Sequence, residues 1–304
     1  MQRLVQCVPN FSEGRRDWVI DEIVAAVRSV AGLRVLEVEK DADHNRTVVA
    51  FAGPPEAALE GAFRAVRRAT DLIDMNKHTG AHPRIGAADV VPFVPLAGVS
   101  MADCIEVARS LGKRLGDELR LPVYLYGEAA TRPERRDLPN VRKGQYEGLR
   151  VDIERDPERT PDFGPAALGP AGATAVGARE ALIAFNVNLR TSEVGIAKAI
   201  ARTVRESGGG LPALRAIGLA VAGTGEVQVS MNLTDFQRTG LLAAFGAVRE
   251  EANRLGVEVA GSQIIGLVPA AALGEVVAQA LQSPSFDVNQ IVERAIIGGE
   301  EASE

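Results

Sequence analysis

Two kinds of hydrophobic spacing alternate along this chain, and the order in which they alternate occurs twice. Period-2 alternation marks strands, while apolar residues at i, i+3, i+4 and i+7 mark helices that bury one stripe. Residues 4–8 read as a strand and 15–30 as a helix with Ile20, Ile23, Val24, Val27 and Val30 inward. Strands at 33–39 and 47–51 follow, joined by the polar turn 41–46. Pro54 and Pro55 open a helix to Ile73, as suits proline in a first helical turn. A strand at 88–94 completes the order β-α-β-β-α-β, the split βαβ arrangement of ferredoxin-like folds. A helix capped by Ser100, with Asp103 three residues on, runs to Leu119, and 122–126 is a further strand. Between 131 and 172 the chain is rich in proline and charge and has no sustained period. A loop that long is a functional segment or a linker. The first order then returns, with strands at 181–188, 214–221, 226–232 and 257–262 and helices at 192–206, 237–255 and 270–281. The Gly223-Thr-Gly225 turn forms a hairpin. The pattern predicts an α+β protein of two ferredoxin-like (βαββαβ) subdomains packed around a ligand groove. Residues 1–178 form one, including the segment 161–174, and residues 179–304 the other.

Composition narrows the partners. A net charge of −6 and few aromatics argue against nucleic acid, which needs a basic face. Cys7 and Cys104 fall inside apolar patterns and read as buried thiols of a reducing compartment, not a disulfide framework. The stretch 263–281 carries a single charge, Glu275, but Gly266, Pro269 and Gly274 interrupt it, so it reads as strand end, turn and buried helix. The N-terminus lacks the apolar core of a signal peptide. The expectation is a soluble, cytoplasmic protein with no membrane and no nucleic-acid partner.

Two of the three histidines, His78 and His82, lie in the loop Asn76-Lys-His-Thr-Gly-Ala-His-Pro-Arg84. Histidine titrates near neutrality and can both take and give a proton. Flanked by Lys77 and Arg84, the pair points to acid/base chemistry on an anion, with His82, held between Gly80 and Pro83, as the stronger candidate. A structural pair of histidines is the competing reading. The spacing His-x3-His also invites a metal, as in His-Glu-x-x-His helices. Here Thr79 stands where the glutamate would be, Gly80 and Pro83 oppose a helix, and only His44 offers a third ligand. Gly208-Gly-Gly210 and Gly223-Thr-Gly225 lack the residues of phosphate-binding loops, and no Gly-x-Ser-x-Gly is present. Arg46, Arg84, Arg142 and Lys143 are cations near turns that could meet carboxylates. The Pro/Gly-rich segment 161–174 reads equally as a linker or as an apolar ligand wall.

Several longer motifs carry a resemblance: Val8-Pro-Asn-Phe-Ser-Glu-Gly14, Asn45-Arg-Thr47, the loop 78–89 with Val90-Val-Pro-Phe93, and Pro122-Val-Tyr-Leu-Tyr-Gly-Glu-Ala-Ala130. Pro161-Asp-Phe-Gly-Pro165, Leu182-Ile-Ala-Phe-Asn-Val-Asn-Leu189, Asn232-Leu-Thr-Asp-Phe236 and Gly261-Ser-Gln263 belong to the same set. Over nearly its whole length the chain resembles the glutamate formimidoyltransferases, folate-dependent enzymes of histidine degradation, in the stand-alone form without a cyclodeaminase domain. The resemblance implies transfer of a formimidoyl group between N-formimidoyl-L-glutamate and tetrahydrofolate, with tetrahydrofolate as co-substrate and no metal. It implies His82 as the catalytic acid/base. The folate site falls on Gly164, Pro165, Ala166, Ala167, Leu168, Gly169, Pro170, Ala171 and Gly172. Lys77, His78, Arg84, Arg46 and Lys143 are the candidates for holding substrate carboxylates. Formyl transfer from N-formylglutamate is the alternative chemistry, and a non-catalytic folate-binding protein the alternative of another class. A homodimer is the default assembly on base rates.

Overall fold

The structure, a computed structural model, describes residues 3–221, 223–283 and 285–291, and the chain divides into two units, 1–179 and 180–304. Each is built around its own sheet.

The first unit runs β1 (Leu4–Cys7), β2 (Asn10–Phe11), α1 (Asp17–Arg28), β3 (Arg34–Asp41), β4 (Arg46–Gly53), α2 (Pro55–Leu72), β5 (Ala88–Ala97), α3 (Met101–Leu119) and β6 (Val123–Gly127). The short helices α4 (Leu138–Val141) and α5 (Gln145–Asp152) follow, then β7 (Thr174–Ala178). β1 and β2 are one strand interrupted at Pro9. Cys7 lies opposite Phe51 and Asn10 opposite Val48, so the register with β4 is unbroken. Pro9 has no N–H to give the ladder, but its carbonyl still accepts from the Val49 amide at 3.0 Å. The expected β-α-β-β-α-β core is present, with strand order β3-β4-β1/β2-β5. Val5, Ile23, Phe51, Phe93 and Leu111 are fully buried among α1, α2 and α3, each contributing about 1.5–3 kcal/mol of transfer free energy. The Ser100 capping box at α3 is closed reciprocally: the Asp103 amide donates to Ser100 Oγ at 3.2 Å, and the Ser100 amide to Asp103 Oδ2 at 2.8 Å.

Beyond that core the sequence pattern had no strand at 174–178. β7 lies between β5 and β6, parallel to both. Thr-Ala-Val-Gly-Ala is buried at every position, so it shows no alternation and is too small to register as a hydrophobic run. The segment 131–172, expected to be irregular, carries α4 and α5 and is packed into this unit.

The second unit runs β8 (Ile183–Leu189), α6 (Val194–Val204), β9 (Leu214–Ala220), β10 (Val227–Leu233), α7 (Leu241–Arg254), β11 (Val259–Ile265) and α8 (Ala270–Ala280). Its sheet has the order β11-β8-β10-β9 with every pairing antiparallel, the ferredoxin-like arrangement without additions. Ile183, Phe185, Val187, Val229, Ile200 and Val248 form its core. None of the described helices is long and apolar enough to cross a membrane.

Candidate active site

The histidine loop is held in place by three neighbouring segments of the first unit. Asn45, in the turn between β3 and β4, takes the left-handed conformation (φ 50°) that asparagine tolerates. Its Oδ1 accepts from the Gly14 amide and its Nδ2 donates to the Thr79 carbonyl, both at 2.9 Å. Gly80 allows this contact, since a Cβ there would lie 2.4 Å from the His44 carbonyl oxygen. At the end of the loop, Ser12 Oγ donates to the Gly86 carbonyl at 2.7 Å. From the third side come residues 170–173. The Met75 amide donates to the Pro170 carbonyl (2.7 Å), the Ala87 amide to the Ala171 carbonyl (2.8 Å), and the Ala173 amide to the Ile85 carbonyl (3.0 Å). The segment 164–172 is therefore no linker: it is stitched to the histidine loop within one unit. Ala166, Ala167, Gly169 and Pro170 are exposed, while Leu168 packs on the core.

The two histidines differ. His78 Nε2 lies 3.1 Å from the Asn45 carbonyl, and Arg84 Nε donates to His78 Nδ1 at 3.3 Å. The network assigns a neutral ring with the proton on Nε2. Burial lowers its pKa, and the Arg84 charge acts the same way. His78 thus positions Arg84 and the hairpin turn. His82 keeps its ring toward a small cavity lined by Asn10, Ser12, His44, Arg46 and Asp89 among others. Its pKa is pushed down to about 3, first by burial, then by Arg46, Arg142 and His44. His82 is a neutral base walled by cations. His44 stands edge-on to it, ring centres 6.5 Å apart, and is oriented by Asp41, whose Oδ2 lies 2.6 Å from His44 Nδ1.

The cations are not equivalent. Arg84 is buried and committed: it makes a bidentate pair with Glu147 (2.6 and 2.9 Å) and donates to Gln145 at 3.0 Å. It anchors the start of α5. Arg46 lines the cavity with its guanidinium on Asn10 Oδ1, 2.9 Å from Nε. Lys77 is 85% exposed and paired with Asp74 at 3.3 Å, and Lys143 is exposed, so neither lines the cavity. Asp89 and Arg142 hold each other. Asp89 is 2% exposed, accepts the Ile85 amide at 2.9 Å and accepts a further hydrogen bond from Arg142. Burial raises the Asp89 pKa, opposed by the Arg142 charge and the Ile85 amide. Arg142 Nε is buried without a hydrogen-bond partner. Its guanidinium is thus partly uncommitted, beside a histidine whose protonation it opposes.

Asn10, Ser12, Asn45 and Asp89 were visible in the sequence only inside the motifs that carried the resemblance. An ordinary Asn or Ser gives no chemical signal until its partner is known. In the second unit, the sheet face turned away from α6 and α7 carries Asn186, Asn188, Gln228, Ser230 and Asn232 on adjacent strands. Gln228 Nε2 donates to Asn188 Oδ1 at 2.9 Å. Nothing in the sequence singled out this face as a field of neutral amide and hydroxyl groups. Among the described residues no group of three or more His, Cys, Asp or Glu side chains is placed to hold a metal ion. Cys7 and Cys104 are both buried and form no disulfide, as expected.

Comparison with known proteins gives the following. Residues 4–179 match the formiminotransferase domain, N-terminal subdomain, and residues 184–292 the formiminotransferase domain. The chain is 44% identical over 300 residues to the glutamate formimidoyltransferase of Streptococcus pyogenes serotype M1, covering 98% of this chain and 100% of that one. It is 47% identical over 293 residues to the Thermoplasma acidophilum glutamate formimidoyltransferase, covering 96% of each. Against the mouse formimidoyltransferase-cyclodeaminase it is 48% identical over 280 residues, 90% of this chain and 51% of that protein.

Proposed function

The chain belongs to the formiminotransferase family, and on that premise we propose that it transfers the formimidoyl group between N-formimidoyl-L-glutamate and tetrahydrofolate, with His82 as the acid/base. The observation that carries this reading is a neutral, half-buried imidazole set against Arg46 and Arg142. The donor brings two carboxylates, and Arg46, which lines the cavity, suits one of them, with the Arg142 charge behind it. Those carboxylates would offset the cations that keep His82 unprotonated. The imidazole gains proton affinity when the donor is bound, which is when the reaction needs it.

N5 of tetrahydrofolate attacks the formimidoyl carbon, forming a new C–N bond, and the C–N bond to glutamate breaks. His82 takes the proton from N5 and delivers it to the glutamate nitrogen, which leaves as an amine. No step forms a bond to the protein. The segment Gly164–Gly172 serves as the wall for the pterin. Its exposed Ala166, Ala167, Gly169 and Pro170 and their hydrogen-bonded base at 170–173 support this reading, because a wall tied to the histidine loop holds distance to the base.

The test is turnover with N-formimidoyl-glutamate and N-formylglutamate in parallel, tetrahydrofolate being the acceptor. Formimidoyl transfer at the higher kcat/KM is expected; no turnover with either sinks the proposal. Hydrogen exchange with a bound tetrahydrofolate analogue tests the wall. The amides of Gly164, Ala166–Gly169 and Ala171–Gly172 should be protected together with those of the 78–84 loop. Protection of the loop alone removes Gly164–Gly172 from the folate site.

A further inference from the structure

Helix α6 and the edge strand β9 of the second unit leave an open recess between them. Lys198 and Arg202 on α6, and Arg205 just past its end, all line it, over a floor that includes Ala201 and Ala216. The spacing i, i+4, i+7 sets the three cations on one helix face over about 10 Å. Among the described residues, none of the three side chains makes an ion pair or a hydrogen bond. This is unusual in a chain of net charge −6, where like charges at i, i+4 repel and an acid nearby would relieve them. Glu206, adjacent in sequence, faces Arg238 instead at 3.6 Å.

Two further features give the recess a fixed shape. Gly218 brings β9 against the helix, since a Cβ there would lie 2.2 Å from the Lys198 amide nitrogen. Arg205 is pinned through its carbonyl, which accepts from the Gly208 amide at 2.9 Å and the Gly210 amide at 3.1 Å. Its Nε is buried with no partner, a donor that costs free energy until something accepts from it. The helix dipole accounts for cations near the α6 C-terminus. It does not account for Lys198 in mid-helix or for that buried Nε.

We propose that this recess binds an extended small polyanion, a row of phosphoryl or carboxylate groups long enough to meet all three cations. A compact anion meets one or two of them and binds more weakly. The recess shares no lining residue with the histidine cavity of the first unit, and the proposal does not depend on the transferase reading.

The test uses the full chain with three probes: inorganic tripolyphosphate, a triglutamate peptide and inorganic phosphate. Titration followed by amide NMR shifts should give saturable binding of tripolyphosphate or triglutamate that perturbs 198–205 and 216–218, and whichever binds identifies the source. Inorganic phosphate should bind at least tenfold more weakly. The combined variant Lys198→Gln, Arg202→Gln, Arg205→Gln should raise the dissociation constant at least tenfold, while Arg190→Gln should not. Shifts confined to the histidine cavity, equal affinity for phosphate, or no saturable shift with either extended probe overturns the proposal. Because the wild-type shift map needs no variant, the outcome stands even if the triple substitution unfolds.

Discussion

The two units share one order of elements and differ in what they bury. In the first, Glu13, Arg84, Asp89 and Arg135 are buried charged residues; among the described residues of the second, the only buried polar side chain is Thr239. Arg84 pairs with Glu147, Arg142 with Asp89 and Arg135 with Asp162. In each pair one member lies in the segment 131–172 that the second unit lacks, and for Arg135–Asp162 both do. The ion pairs of the second unit, such as Arg254–Glu251, keep their arginines exposed. A bare ferredoxin-like frame therefore supplies a sheet and a core, while the insertion supplies partners that hold charges out of water. The histidine cavity is lined by residues 10–89 of the repeat itself, and the insertion contributes Arg142 and Glu147, which pair with Asp89 and Arg84 of that lining.

If that contrast is right, the largest effect should come from the group the insertion and the histidine loop jointly position. His82→Ala is expected to lower kcat by about 10²–10⁴-fold, the range for a positioned acid/base, with folate binding little changed. A variant keeping more than about a tenth of wild-type kcat takes His82 out of the mechanism.

The second effect is on stability. Asp89→Asn leaves the largely buried Arg142 without its counter-charge, and breaking a buried pair costs about 3–5 kcal/mol. The matched change Glu251→Gln in the second unit breaks a pair whose arginine is solvent-exposed, worth about 0–1 kcal/mol. Denaturant midpoints measured on both variants compare the units directly. Equal shifts would mean that the buried charges of the first unit are not what sets it apart.

A smaller effect is graded with pH. His82 has its folded pKa near 3, below the ordinary value of 6.5. Between the two, the unfolded chain carries a proton that the folded chain does not, so stability falls as pH drops from 6.5 toward 3. His78 is shifted in the same direction. His82→Gln should flatten the decline of melting temperature over that window relative to wild type. Parallel curves would show that His82 is not desolvated among cations.

Much of this was legible in the sequence. Both β-α-β-β-α-β sets were, because amphipathic stripes such as Ile20, Ile23, Val24 and Val27 repeat at the helical period whatever the tertiary setting. β7 was not, because this strand, buried on both faces between two parallel neighbours, is built of small residues and shows neither alternation nor a strong hydrophobic run. In the site, the loop around His82 stood out through its residue types. The division of labour among its cations did not: Arg84 and Arg142 look alike in sequence. Only the placement of α5 and of Asp89 commits Arg84 fully and leaves the Arg142 Nε open.

The smallest effect expected is none at all. Transferase activity should survive exhaustive chelation, and the reason lies in how each histidine is already engaged. His78 has both ring nitrogens occupied, one against the Asn45 carbonyl and one accepting from Arg84. His44 turns Nδ1 to Asp41. His82 sits where Arg46 and Arg142 already disfavour a proton, and a divalent ion would meet the same repulsion doubled. A Lewis-acid site of the usual kind needs three protein ligands with an open position. Activity that disappears with a chelator and returns with one divalent ion would mean that the loop rearranges into such a site. The difference between the units would then be metal chemistry and not the positioning of a neutral base.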